Sequence, residues 1–374
     1  MTAWAIVTGE YPPQAGGVSD HSRQLAAALA AAGDEVHVFA PAAAGPTPQD
    51  PGVTMHRLPS HFGARALRTL AREAERLPHP RRMLVQYVPH ALGMRGMNLP
   101  FCAWLLRRRG FPVWVLFHEV AYPLEAGQPL RHHLLARVNR AMAGLAARAA
   151  ARVLVTIPAW ERVLREVWRG VGPVVWLPVP SNVPTEADPE EAAALRRAHP
   201  GERIGSFGAF GPLTLPLLRT HLPPILARRD GSVAVLVGRG SEEAARQIVE
   251  AHPWARERVV AMGALPTERV AACLLSCDLL LQLYPDGASS RRTTLMAGLA
   301  LGVPVLTRTG PLSEEIWRTS GAVALAPADD PEAVTETAAA LLADPAARAE
   351  LGRRGERLYR DTFTLQHAVR RLRA

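Results

Sequence analysis

Four stretches hold residues whose types and spacing could do chemistry. In Gly9-Glu10-Tyr11-Pro12-Pro13-Gln14-Ala15-Gly16-Gly17-Val18-Ser19-Asp20, the paired Gly16 and Gly17 precede a run of helical period. Glycines there let backbone amides and the helix dipole face negative charge, although most such turns are only turns. His118, followed by Glu119, leaves an apolar run; it reads either as a satisfied core residue or as a polar contact in a cleft. In Tyr284-Pro285-Asp286-Gly287-Ala288-Ser289-Ser290-Arg291-Arg292-Thr293-Thr294, the two serines could cap a helix that carries the two arginines in its first turn. Arginine beside free amides opposes the dipole unless an anion neutralises both, which points to a phosphate-bearing ligand; the alternative is an exposed or salt-bridged pair. Asp286 could accept from a hydroxyl. Finally, Thr307-Arg308-Thr309-Gly310-Pro311-Leu312-Ser313-Glu314 offers Thr309 and Gly310 as contacts, while Pro311 limits how many amides can turn inward. Glu314 opens a helix, where an acid in the first turn serves the dipole whether or not a ligand is near.

The elements that must position these loops follow from periodicity. Short apolar, β-branched runs alternate with longer Ala/Leu/Arg stretches of helical period, the signature of βαβ units and parallel sheets. The strand candidates in the first half are Trp4–Thr8, Val36–Ala40, Val53–Leu58, Met83–Val88, Val113–Phe117, Arg152–Ile157 and Val174–Leu177. In the second half they are Arg203–Phe207, Val233–Val237, Val259–Met262, Leu279–Leu283, Pro304–Thr307 and Ala322–Leu325. Between the sets, Leu177-Pro178-Val179-Pro180-Ser181-Asn182-Val183-Pro184 denies regular structure and marks a connection. The expected architecture is α/β, two doubly wound domains at 1–180 and 181–350, with a helical segment 351–374 whose end crosses back to the first domain. Ligands in such sheets bind outside the carboxyl ends of the strands, so both sets of loops are expected to line one central cleft.

Composition narrows the chemistry. The 374 residues include no lysine, so all 43 basic residues are arginine, which excludes a pyridoxal Schiff base, a P-loop lysine and a lysine nucleophile. The net charge of +9 arises in residues 1–180, which hold 20 Arg against 11 Asp and Glu; the remainder holds 23 of each. A one-sided basic field suits a phosphate-bearing substrate or an anionic bilayer, or is an ordinary solvated surface; no motif for nucleic acid accompanies it. Cys102, Cys273 and Cys277 have no partners spaced for a metal site and read as buried thiols. No leader and no run of eighteen uncharged apolar residues is found, so a cytoplasmic protein is expected, with peripheral contact at the inner face of an anionic membrane as a further expectation. The leucines between Arg131 and Arg152 could make that contact or belong to a buried helix with a wet face.

The order Tyr11-Pro12-Pro13, Gly16-Gly17, Gly33-Asp34-Glu35-Val36-His37-Val38, His118-Glu119, Asn182, Gly238-Arg239-Gly240 and Gly302-Val303-Pro304-Val305 to Glu314 resembles the family 4 glycosyltransferases over nearly the whole chain. The resemblance implies a GT-B fold, a retaining transfer from a nucleotide-sugar donor (a UDP- or GDP-sugar) to a glycan, lipid-linked or small-molecule acceptor, and no required cofactor or metal. It implies that His118 contacts the donor sugar. Most members carry two glutamates eight positions apart at the donor; this chain has Ser289 and Ala297 there. They also place an Arg and a Lys on the diphosphate, whereas Gly205-Ser206-Phe207-Gly208-Ala209-Phe210-Gly211-Pro212 has neither. The expected chemistry therefore falls to His118, Asp286 and Arg291, and the expected donor contacts are Gly16, Gly17, Gly208, Arg239, Ser289, Ser290, Arg292, Thr293, Thr309 and Gly310. Competing readings are an inactive scaffold that kept the fold as a binding or regulatory protein, motivated by Ser289 and Ala297, and a sugar-nucleotide epimerase, which would turn over without an acceptor.

Overall fold

Each of the thirteen apolar runs forms a strand in the computed structural model, which describes residues 1–108, 111–124 and 127–374. The chain divides into two units, Met1–Val179 with Leu365–Ala374, and Pro180–Thr364.

The first unit holds a seven-stranded sheet of order β3-β2-β1-β4-β5-β6-β7: β1 Ala3–Thr8, β2 Glu35–Pro41, β3 Val53–Leu58, β4 Arg81–Tyr87, β5 Val113–Phe117, β6 Arg152–Val155 and β7 Val174–Trp176. Every pairing is parallel, as required when helical crossovers cover both faces and bury the strands on each side. One core layer packs Phe39, Phe62, Phe101, Tyr87 and Phe117; the other packs Trp4, Ile6, Leu25, Leu29 and Leu116.

The second unit holds a six-stranded parallel sheet of order β10-β9-β8-β11-β12-β13: β8 Arg203–Phe207, β9 Val233–Val237, β10 Val259–Gly263, β11 Leu279–Leu281, β12 Val305–Arg308 and β13 Ala324–Ala326. The topology matters more than the strand count. In each sheet the order reverses once, between β1 and β4 in the first unit and between β8 and β11 in the second. Neighbouring loops part at such a reversal, opening a crevice at the carboxyl ends.

The C-terminal segment differs from the expected division. Residues 351–364 remain with the second unit, where the helix Pro345–Leu358 lays Gly352 against the Gly302 backbone and Gly355 against Leu299. Only the helix Leu365–Arg373 joins the first unit. It buries Ala368, Val369 and Leu372 beside Trp4 and Leu25. Polar ties finish the attachment: Arg373 lies 3.3 Å from the buried Asp34, whose carboxylate also accepts from Thr2 N at 2.9 Å and Trp4 Nε1 at 3.2 Å, and Arg82 donates to the Leu372 carbonyl at 3.1 Å. The crossing back was expected, but the spacing of the prolines had no means of marking that it begins at Leu365, because the anchor is Asp34 and the Trp4 face at the opposite end of the chain.

Candidate functional site

In the second unit, the loop after β11 and the loop after β12 are folded onto one another. A side chain on Gly287 would run into the Gly310 backbone and Ser313 Oγ, and one on Gly310 would meet the Asp286 backbone, so both positions need glycine for this approach. Backbone bonds secure it: Ala288 N donates to Arg308 O at 3.0 Å and Leu312 N to Asp286 O at 3.0 Å. The glycine after β8 joins the same group, since Gly208 faces Thr294, whose hydroxyl shares a 2.7 Å bond with Tyr284 Oη. Burial pushes the Tyr284 hydroxyl up to about 12, so it stays a neutral hydrogen-bonding group.

Arg291 and Arg292 both close on the Asp286 carboxylate, and the Arg292 guanidinium lies over the Tyr284 ring at 4.9 Å. Burial of Asp286 favours its neutral form, but the charges of Arg292 and Arg291 outweigh this and hold its carboxyl below the usual range. One acid thus faces two bases, leaving a net positive charge at the loop. The helix that follows begins later than expected, at Thr293, with Arg292 at its N-cap position and no side chain capping it. Ser289 and Ser290 are therefore not caps. Both are fully buried, and Ser290 donates through its backbone N to Glu314 Oε1 at 2.9 Å and through its hydroxyl to the same carboxylate. Glu314 also accepts from Trp317 Nε1 at 2.6 Å. Far from being a surface acid serving a dipole, it is a buried anchor; burial raises its carboxyl pKa, and the bonds from Ser290 and Trp317 pull it partly back. Ala297, at the aligned position of the family's second glutamate, is buried in the helix Thr293–Ala300.

Around this cluster lie buried polar atoms with no protein partner: Ser289 Oγ, Thr307 Oγ1, Ser313 Oγ, Arg292 Nε and Arg308 Nε. Buried hydroxyls and guanidinium nitrogens are normally satisfied, so their concentration in two touching loops marks a place suited to a polar, anionic ligand. Thr307, Arg308, Ser313 and Tyr284 were not singled out from the sequence. The usable signal was an arginine and a threonine ending the otherwise apolar strand Val305–Arg308.

Other expected residues fall differently. The Thr309 hydroxyl accepts from Ala328 N at 3.0 Å. Arg239 is exposed beyond β9 and its carbonyl accepts from Phe210 N at 3.0 Å; a side chain on neighbouring Gly238 would strike the Gly208 carbonyl. The loop after β8 is thus held in place by backbone.

In the first unit, Gly16 is the N-cap of the helix Gly17–Ala31 in extended backbone, and a side chain there would meet Glu10 Oε2 at 2.6 Å. Gly17 has nothing within 4 Å of an added side chain. His118 follows β5 and is 7% exposed, with Nε2 2.6 Å from Gln86 Oε1 and its ring edge-on to His21 at 5.1 Å. Its carbonyl accepts from Trp160 Nε1 at 2.8 Å. Gln86 Nε2 and His21 Nδ1 are buried without partners beside it. Gln86 was legible as the polar residue near the end of the apolar strand Arg81–Tyr87; His21, inside a helix, was not. Nearer the surface, His90 Nδ1 lies 3.5 Å from Glu119 and its Nε2 3.9 Å from Glu10. The Glu119 contact raises its pKa above the usual histidine value, against the effect of burial.

His21 gives a pH prediction. Burial lowers its pKa to about 4, with Gln86 opposing. A depressed value means that the folded state refuses a proton that the unfolded chain accepts. The stability involved is full above the ordinary histidine value of about 6.5 and is lost as pH falls through 4. By linkage this amounts to about 3 kcal/mol. Urea unfolding of the first unit's transition should show this loss between pH 7 and 4, and His21→Phe should reduce it; an unchanged acid slope in the variant would contradict the assignment.

The comparisons with known proteins agree with this geometry. Residues 16–180 match a family model described as Glycosyl transferase 4-like domain, and residues 220–374 match one described as Glycosyl transferase-like. No curated protein matches the chain by sequence. Solved structures match along its length: sucrose-phosphate synthase from Thermosynechococcus elongatus at 20% identity and TM-score 0.72, covering 100% of this chain and 97% of that one. WaaG, a glycosyltransferase involved in lipopolysaccharide biosynthesis, matches at 16% and 0.68, covering 100% and 98%. Anabaena HepE in complex with UDP-glucose matches at 14% and 0.66, covering 100% and 98%. Identities this low speak to the fold, which is GT-B. With its two halves matched in order by glycosyltransferase domains, leaving only residues 1–15 and 181–219 outside, the chain belongs to the GT4-like glycosyltransferases of the GT-B fold.

Proposed function

We propose that the protein transfers a sugar from a nucleoside-diphosphate sugar to a glycan or lipid-linked acceptor with retention of configuration. The observation that carries this is the net positive loop of Asp286, Arg291 and Arg292, bordered by the unpartnered atoms Ser289 Oγ, Thr307 Oγ1, Ser313 Oγ and Arg308 Nε. In this reading the diphosphate lies on Arg291, Arg292 and the hydroxyls, with the Gly208 backbone and Gly310 alongside. That HepE is described with UDP-glucose supports a UDP-sugar as the first donor to try. The bond between the anomeric carbon and the diphosphate breaks, an acceptor oxygen bonds that carbon, and the acceptor proton leaves with the diphosphate or to solvent. The arginines stabilise charge as it develops on the leaving group, an effect worth about 100- to 1000-fold per well-placed donor. Asp286 accepts from a sugar hydroxyl, replacing the family's first glutamate. In the first unit, His118 is assigned to the sugar, and Glu10, His90 and Glu119 to the acceptor. The reaction takes place on the cytoplasmic side.

One observation favours the inactive-scaffold reading: Asp286 already neutralises one arginine charge without any ligand. Incubation with radiolabelled UDP-glucose and GDP-mannose, with and without extracted membrane lipids or glycans, separates the two. Label transferred only with acceptor supports the proposal; nucleoside diphosphate released without acceptor dependence, or no turnover with any donor, contradicts it.

A further inference from the structure

Between the helix Gly17–Ala31 and the sheet of the first unit the packing is apolar, through Trp4, Ile6, Leu25, Leu29, Leu84 and Leu116, until the carboxyl ends of the strands are reached. There it becomes polar. Thr8 and Gln86 are register partners at the ends of β1 and β4, and His118 follows β5. The helix adds His21 and Ser22, and none of the five residues is more than 7% exposed. A buried polar layer costs stability against apolar packing unless its groups are satisfied; what it supplies is fixed orientation.

The residue so oriented is His118, held through both its backbone and its ring. Its N donates to Tyr87 O at 3.1 Å, and its carbonyl accepts from Trp160 Nε1 at 2.8 Å and from Thr156 Oγ1 at 3.4 Å. The ring stands edge-on to His21 at 5.1 Å, with Nε2 2.6 Å from Gln86 Oε1. An amide oxygen only accepts, so this contact is a hydrogen bond only when the proton sits on Nε2, and a neutral ring then presents Nδ1 as an acceptor. The other members of the layer do not compete for the amide oxygen. Ser22 Oγ is bonded to Thr8 Oγ1 at 3.1 Å, and burial keeps His21 neutral by lowering its pKa to about 4.

We infer that Gln86 is a positioning residue, which holds the His118 imidazole as the Nε2–H tautomer so that the ring meets its ligand through Nδ1 as a hydrogen-bond acceptor. The functional half of the inference rests on the assignment of His118 to the donor sugar: the group accepted is then a sugar hydroxyl, and Gln86 governs the sugar end of the donor without touching it. In the other tautomer the ring would offer a donor at Nδ1, and a hydroxyl would lose the acceptor placed for it.

Nuclear magnetic resonance of the full chain carrying isotope-labelled histidine reads the tautomer without any donor, the His118 ring being identified by the signals lost in H118A. At neutral pH the native chain should show the ring proton on Nε2. Q86L should move it, wholly or in part, to Nδ1, whereas S22A, which removes a hydroxyl from the same layer, should match the native chain. Calorimetry with UDP and UDP-glucose reads the consequence. Q86L should lower the affinity for UDP-glucose about fivefold, the effect of one neutral hydrogen bond, and leave that for UDP unchanged. A native ring proton on Nδ1, a tautomer that Q86L leaves unaltered, or one that S22A disturbs as much as Q86L does would overturn the inference. Equal losses for UDP and UDP-glucose would do so too, by showing that Gln86 only packs the layer. A native chain that binds neither nucleotide would sink the donor reading, while the resonance spectra would still decide what Gln86 does to His118.

Discussion

Arg292→Ala should weaken nucleoside diphosphate binding roughly 10- to 100-fold, the effect of one charge-assisted hydrogen bond lost from a half-buried site. Arg291→Ala should do the same, and the double variant should bind too weakly to measure. The reason is arithmetic of charge. With both arginines present, Asp286 cancels one and leaves one for the ligand; with a single arginine, the loop is neutral before any diphosphate arrives. Asp286→Asn separates this account from a purely structural salt bridge. It frees both guanidiniums, so diphosphate affinity should rise several-fold, while turnover with the sugar nucleotide falls because the hydroxyl acceptor is gone. If the three groups served only to brace the loop, Asp286→Asn would lower affinity along with stability.

Glu314→Ala is the variant expected to cost most stability. It strands three buried donors, Ser290 N, Ser290 Oγ and Trp317 Nε1, each worth about 1 to 3 kcal/mol once unsatisfied. A loss of about 3 to 5 kcal/mol in the second unit's urea transition follows, with weaker donor binding because Ser289 and Ser290 lose their footing. The sign of the pH dependence is fixed by the raised carboxyl pKa. The folded state holds this proton more tightly than the unfolded chain, so that stability is full below the ordinary carboxylate range and is lost as pH rises through the raised value. The deficit of Glu314→Ala should therefore grow toward acid pH. A deficit under about 1 kcal/mol at any pH would show that the carboxylate is not the anchor described.

Much of the scaffold was legible because its strands are buried on both faces. Runs such as Val113–Phe117 and Val233–Val237 are apolar throughout, and nothing in them competes with strand formation. The site was legible by composition more than by arrangement. Asp286, Arg291, Arg292 and Gly310 do converge, but the expected caps at Ser289 and Ser290 gave way to a carboxylate 24 residues further on. Local capping preference lost to a tertiary partner that no short window contains. The bond that holds Thr309 was hidden for a similar reason, since its hydroxyl accepts from the backbone of Ala328. The unpartnered hydroxyls of Thr307 and Ser313 carry no sequence signal, because a threonine ending a strand is commonplace and only its burial without a partner distinguishes it. In the first unit, His118 was found by its place after a strand, whereas His21 became visible only when the helix Gly17–Ala31 was laid over β4 and β5.

The central claim is that the Asp286 loop of the second unit binds a nucleoside diphosphate through its arginines. Calorimetric titration with UDP, GDP, ADP, TDP and their sugars, on the native chain and on Arg291→Ala and Arg292→Ala, tests it most directly. The account predicts saturable binding of one nucleotide, weakened at least about tenfold by either substitution. No binding by any of them, or binding that both variants retain unchanged, would contradict it.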